Sequence, residues 1–301
     1  MNKRFAAVLV ACVSLGLSGC GGGSDVSGSV EDDGSEPAVE AAPVVRSEAE
    51  VLLPLDAYMT PDVEMPVLYR ALNKLERQCL AGLGITDPGA VTKISPPSGH
   101  HDLIYLDEAV VKRYGYRQPY DFVPYEDAAY RKAKKPAAEG ELEALDGSVA
   151  SVNGKSVPKG GCRSWASDQI ISPPLEFDAT DLAVSVSERV NVDSRVKKAT
   201  GSWIACMNGA GYSYKNPMDP ANFERWGQSG PGDKRDYPLT KKEIETGLHD
   251  VACRKESGLY TVWLQVRIAY EKRLVAANEE RLVESKRVLD GWMQKAKAVA
   301  G

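Results

Sequence analysis

Apolar residues along this chain recur mostly at helical intervals. Leu68, Leu72, Leu75 and Cys79 fall three or four apart and are followed by Gly82 and Gly84, so residues 61–81 are predicted as a helix with a glycine stop. Val192, Val196, Ala199, Trp203 and Cys206, with Met207 adjacent, mark one face of a second helix expected from Asp181 to Asn208 and ended by Gly209 and Gly211. A third helix opens at Thr240, where Thr240-Lys241-Lys242-Glu243 has the form of a capping box, and runs through Ile244, Leu248, Val251 and Cys253. Ser257-Gly258 supplies a break or kink. From Leu259 the period resumes through Val262, Val266, Tyr270, Leu274, Ala277, Leu282, Leu289, Trp292 and Ala296. About 40 residues of helix would be roughly 60 Å long. Its centre, Asn278-Glu279-Glu280-Arg281, is polar, which leaves the far half either to project or to fold back.

The middle of the chain is irregular. Tyr105–Tyr116 and Tyr125–Lys134 read as short helices separated by Pro119 and Pro124. Glu139–Gly161 is rich in glycine and small polar residues, and within it Val152-Asn153-Gly154-Lys155 carries the Asn-Gly signal of a tight hairpin. Pro217–Pro238 reads as a loop. No regular alternation of strands and helices occurs, which argues against a doubly wound sheet. The expected fold is therefore mainly α: a helical domain with at most a short β-hairpin and a long C-terminal helix. Cys79-Leu80-Ala81-Gly82-Leu83-Gly84-Ile85 and Cys206-Met207-Asn208-Gly209-Ala210-Gly211-Tyr212 share a pattern, which hints at a duplication but also fits the common chemistry of helix ends.

The N-terminus adds an address. Lys3 and Arg4 precede an uncharged run, Phe5–Leu17, of about 13 residues, short of the roughly 20 that a spanning helix needs. This reads as an export signal. The run closes on Leu17-Ser18-Gly19-Cys20, which resembles the bacterial lipobox. That resemblance implies removal of residues 1–19, taking Cys12 with them, and lipidation of Cys20. A single acyl chain binds a membrane marginally, whereas two hold it stably, so Cys20 would tether the chain to the extracytoplasmic face of the cell membrane.

Residues 20–50 read as a disordered acidic tether, because Gly, Ser, Pro, Ala and acidic residues cannot bury enough apolar surface to offset chain entropy. The whole chain has 37 basic and 42 acidic residues, and this segment holds eight of the acidic ones against Arg46 alone. With Lys3 and Arg4 also set aside, the remainder balances at 34 of each sign, so the net charge of −5 comes from the tether, offset only by Lys3 and Arg4. A flexible coil of this length spans about 30 Å. The balanced remainder has no basic run and so no footprint for nucleic acid. Residues 51–301 are expected to form the folded domain, with possible halves at 61–165 and 180–301.

Four cysteines are left: Cys79, Cys162, Cys206 and Cys253. An even number in an exported chain implies two disulfides, and four cysteines allow three pairings. None has the close Cys-x-x-Cys or Cys/His spacing of a metal site.

Three stretches resemble a family of secreted actinobacterial lipoproteins of unassigned function. They are Val157-Pro158-Lys159-Gly160-Gly161-Cys162; Trp203-Ile204-Ala205-Cys206-Met207 with Gly211-Tyr212-Ser213-Tyr214 and Pro217; and Asp250-Val251-Ala252-Cys253 with Gly258-Leu259, Trp263 and Tyr270. A weaker likeness lies in Arg113-Tyr114-Gly115-Tyr116. The resemblance implies Cys206 paired with Cys253. Together with the order of neighbours along the chain, this favours Cys79–Cys162 as the other bridge. The family carries no catalytic residues to this chain.

Candidate chemistry is sparse. His100-His101 are adjacent and so diverge on either a helix or a strand, and the only other histidine is His249; no metal or cofactor is expected. No Gly-x-Ser-x-Gly and no His-Glu-x-x-His occurs. Tyr105, Tyr114, Tyr116, Tyr120, Tyr125 and Tyr130 offer a stacking platform, but also the packing of an irregular segment. The leading expectation is a non-catalytic binding, sensing or scaffolding protein with an envelope or cell-wall partner. The alternatives are a cell-wall hydrolase, or other extracytoplasmic enzyme, and the solute-binding component of a transporter.

Overall fold

A computed structural model describes residues 34–45, 50–61, 63–89, 106–116, 137–222, 226 and 239–301. The architecture is mainly α. A 3-10 turn at Pro54–Tyr58 leads into α1 (Met65–Gly82), α2 (Glu108–Tyr114) and α3 (Glu141–Asp146). The hairpin β1 (Ser151–Val152) and β2 (Lys155–Ser156) follows, then α4 (Gly161–Ile170), α5 (Ala179–Val192) and α6 (Ser194–Gly209). After the short α7 (Asp219–Asn222) come α8 (Lys241–Ser257) and the long α9 (Leu259–Ala300). The hairpin is antiparallel with Val152 opposite Lys155, and Asn153 and Gly154 turn it at φ of 50° and 72°.

The 42 residues of α9 organise the packing. Its buried positions 271, 274, 278, 282, 285, 293 and 296 fit steps of three, four and four. That 11-residue recurrence lies close to the helix's own period, so the stripe stays on one face. The far half does not project. Met293 and Ala296 pack with Leu68, Ala71 and Leu75 of α1 and with Ala166 and Ile170 of α4. Lys74 Nζ donates to Val299 O at 2.9 Å, and Trp292 Nε1 to Pro173 O at 2.9 Å. Leu282 closes a second cluster with Leu55, Met59, Ala179 and Ala183. Of the polar centre, Glu279, Glu280 and Arg281 are exposed, but Asn278 is buried: it leaves helical geometry (φ −128°, ψ 19°), and its Nδ2 donates to Leu274 O at 2.9 Å. The side chain thus satisfies a carbonyl at the kink. Because α9, in the expected half 180–301, packs against α1 of the half 61–165, the two share one body.

The helix expected over Asp181–Asn208 is in fact two helices. Asp193 sits between α5 and α6 at φ −56° and ψ 135°, and its side chain accepts from Arg195 N at 3.0 Å. Asp193-Ser194 is an N-cap, and the cap overrides the apolar period that runs across it. Val192, placed by that period on the inner face, is 61% exposed as a result, while Val196, Ala199, Trp203 and Met207 are buried. The compact unit begins at Glu36, so the described residues 36–45 and 50, expected in the tether, belong to the body. The helix expected over Tyr125–Lys134 lies outside the described residues.

Both disulfides join the expected cysteines, Cys79 with Cys162 and Cys206 with Cys253, at Cα separations of 5.7 and 5.5 Å. The similar helix ends are the same capping motif. Ile85 N donates to Leu80 O and Gly84 N to Ala81 O, as Tyr212 N does to Met207 O and Gly211 N to Asn208 O. The likeness stops there, because Cys162 lies in the first turn of α4 whereas Cys253 lies near the end of α8. Gly160-Gly161 delivers Cys162 to its partner. Gly161 has φ of 80°, and a Cβ there would come within 2.3 Å of Leu145 O and 2.5 Å of Gly147 N, so only glycine lets these strands of backbone touch.

Loop closure sets the expected weight of the bridges. For separations of 83 and 47 residues, the chain-entropy ceiling is about 4–5 kcal/mol each. Replacing Cys79 and Cys162 together with alanine is expected to lower the unfolding free energy by about 2–4 kcal/mol, read from urea denaturation. A loss below about 1 kcal/mol would show that the α1–α4 junction holds without its staple.

Candidate functional site

The inner face of α8 is polar. Ile244, Leu248 and Val251, expected to face the core, are only partly buried, whereas Glu243, Thr246, Asp250 and Arg254 are almost fully enclosed with Cys253. At its centre Asp250 accepts four hydrogen bonds. Oδ1 takes Trp203 Nε1 and Arg254 Nε, each at 2.7 Å; Oδ2 takes Tyr116 OH at 3.1 Å and Arg254 Nη2 at 3.2 Å. The same Arg254 Nη2 reaches Pro217 O at 2.6 Å. One carboxylate thereby links the end of α2, the middle of α6, α8 and the loop before α7. Burial first, and then the Asp250 carboxylate, push the Tyr116 hydroxyl far above its ordinary range, so it stays a donor.

Glu243, whose backbone N–H donates to the N-cap hydroxyl of Thr240 at 3.1 Å, seats α2 on α8. Its Oε1 accepts from Tyr116 N at 3.1 Å. Gly115, at φ 64°, turns the chain so closely beneath it that a Cβ would meet Glu243 Oε1 at 2.1 Å. The Tyr116 ring stacks on Trp226 with centroids 5.6 Å apart.

Two further polar nodes brace α9. Arg267 Nε donates to Glu271 Oε1 at 2.8 Å, Glu271 Oε2 takes Leu55 N at 3.0 Å, and Arg267 Nη1 reaches Ser187 Oγ at 3.0 Å. This pair pins the 3-10 turn and α5 to α9. Burial raises the Glu271 carboxyl, against the lowering effect of Arg267. At the α5–α6 junction Asp193 accepts from Arg195 Nε at 2.9 Å and Nη2 at 2.7 Å. Burial opposes its charge, yet the Arg195 bonds hold its carboxyl below the usual range.

These nodes spend their polar groups on each other. The apolar period does not reveal the α8 node; the signal that does is Glu243, Asp250 and Arg254 recurring at seven and four. On the surface, an open cleft of about 420 Å³ lies between Thr60, Pro61 and Glu64 and the α9 residues Lys286, Asp290 and Lys297. Its charges are paired, Lys297 with Glu64 at 3.2 Å and Lys286 with Asp290.

Of the residues singled out by sequence, Cys20, His100, His101, Tyr105, Tyr120, Tyr125 and Tyr130 lie outside the described residues. Tyr116 is buried, so it serves packing rather than a platform. His249 is exposed, with its ring 5.6 Å from that of Tyr212, which stacks on Tyr214 at 6.0 Å. Among the described residues, no cluster of three or more His, Cys, Asp or Glu could hold a metal ion, and no helix is long and apolar enough to cross a membrane. No family model, no curated protein and no solved structure matches the chain.

Breaking a buried ion pair leaves an uncompensated charge, a loss of about 3–5 kcal/mol. Asp250→Ala is therefore expected to destabilise by that amount, and Tyr116→Phe by about 2 kcal/mol for one bond to a charged acceptor. Replacing Asp250 and Arg254 together with Leu and Met is expected to cost less than Asp250→Ala alone. Chemical denaturation reads all three, and an Asp250→Ala loss under about 1 kcal/mol would remove this node from its central place.

Proposed function

We propose that the chain is an extracytoplasmic lipoprotein, held to the cell membrane through Cys20 and acting as a non-catalytic binding or scaffolding protein of the envelope. The observation that carries the reading is Leu17-Ser18-Gly19-Cys20 at the end of a short uncharged run behind Lys3 and Arg4. The two disulfides agree with it, since such bridges persist in oxidising compartments. So does the way the buried carboxylates are saturated by donors, which suits a rigid body more than acid–base chemistry. Recognition would then fall to the outer surface, with an envelope protein or the cell wall as partner. The mainly α architecture disfavours a transporter's solute-binding component, which would have two α/β lobes around a cleft. The likeness of Val157–Cys162, Trp203–Tyr214 and Asp250–Tyr270 to secreted actinobacterial lipoproteins points the same way.

Cys20→Ser is expected to move the protein from the membrane fraction to the soluble one and to abolish palmitate labelling. Persistence in the membrane fraction, or a purified protein still beginning at Met1, would defeat the anchor.

A further inference from the structure

We infer that residues 36–40 form a strap that latches onto the α5–α6 junction and fixes where the N-terminal segment leaves the body. Glu36 places both carboxylate oxygens on Ser194, taking its backbone N–H at 2.6 Å and its hydroxyl at 2.7 Å. Ser194 is the first residue of α6, where backbone N–H groups lack helical partners and the helix dipole favours negative charge. The next residue, Pro37, is buried, and its carbonyl accepts from Arg195 Nη1 at 2.8 Å. Arg195 is itself held by Asp193, so its guanidinium is fixed in place before the strap arrives. Glu40 then pairs with Lys272 of α9 at 2.7 Å.

The four contacts are unequal. The Glu40–Lys272 pair is solvent-exposed on both sides, and such pairs hold weakly. The Glu36 contact is charge-assisted, bidentate and placed on a helix end, so it is the catch. The Pro37 carbonyl on a pre-set arginine supplies direction. Glu36 and Glu40, two of the eight acidic residues of the expected tether, are thus docking groups. If the chain is lipidated at Cys20, the free spacer shrinks to residues 20–35, a coil of about 20 Å rather than 30 Å. Releasing the strap lengthens it again. That consequence rests on the anchor reading, but the latch itself does not.

The test uses the full-length Cys20→Ser chain, so that it is independent of any membrane. A nitroxide on Ala38→Cys is expected to give an immobilised spectrum, and Glu36→Ala in the same chain is expected to lose that component. Lys272→Glu is expected to weaken it partly, with Glu40→Lys restoring it, a rescue that misfolding would not give. A freely tumbling label in the parent, or an immobilised component that survives Glu36→Ala, overturns the latch.

Discussion

The carboxylate of Asp250 is the point through which the second half of the molecule is assembled. It contacts Tyr116, Trp203 and Arg254, and through Arg254 it reaches Pro217 O. Taking such a charge out of water carries a penalty of several kcal/mol, returned only when each lone pair is used. That condition is directional in a way apolar packing is not. It requires the end of α2, the Trp203 face of α6 and the Arg254 turn of α8 to arrive in one arrangement. Cys253 stands between Asp250 and Arg254's far side on the same helix, bonded to Cys206, three residues beyond Trp203. The covalent bridge and the Trp203–Asp250 hydrogen bond thus clamp the same crossing of α6 and α8. One limits how far the helices separate; the other limits how they rotate.

The long helix extends this order to the rest of the body. Its buried stripe serves α5 and the 3-10 turn through Arg267, Glu271 and Leu282, then α1 and α4 through Met293 and Ala296. A helix long enough to reach both neighbourhoods must satisfy two packing surfaces with one face. The 3-4-4 spacing, close to the helix's own period, keeps that face in line along its length. Between them the helix kinks at Asn278, whose side chain satisfies the Leu274 carbonyl.

Much of this was legible in the chain. The helical intervals gave α1, α8 and α9, the Asn153-Gly154 pair gave the hairpin, and the cysteines paired as their order suggested. The failures share a cause: apolar period was trusted over polar detail. Asp193-Ser194 is a helix start placed within a continuing apolar run, and only the cap chemistry distinguishes it. On α8 the apolar residues Ile244, Leu248 and Val251 sit at the edge because Asp250 and Arg254 are mutually satisfied and can be buried. No sequence period reveals that partners 47 and 134 residues away, Trp203 and Tyr116, will supply the missing donors. Glu36 was equally opaque, because its partner, the start of α6, lies 158 residues away.

These features bear on where the fold can form. A domain's net stability is typically 5–15 kcal/mol, and the two bridges together approach that range at their entropic ceiling of about 4–5 kcal/mol each. Reducing both is therefore expected to remove a large share of the folding free energy. The Asp250 node sharpens the point, because a buried ion pair helps only once its neighbours are already in place. With Cys206 and Cys253 reduced, α6 and α8 must bring Trp203 and Arg254 to Asp250 unaided, against the desolvation of that carboxylate. Oxidation therefore precedes the node in energetic logic: the bridge restricts the crossing, and the polar network then selects one geometry within it.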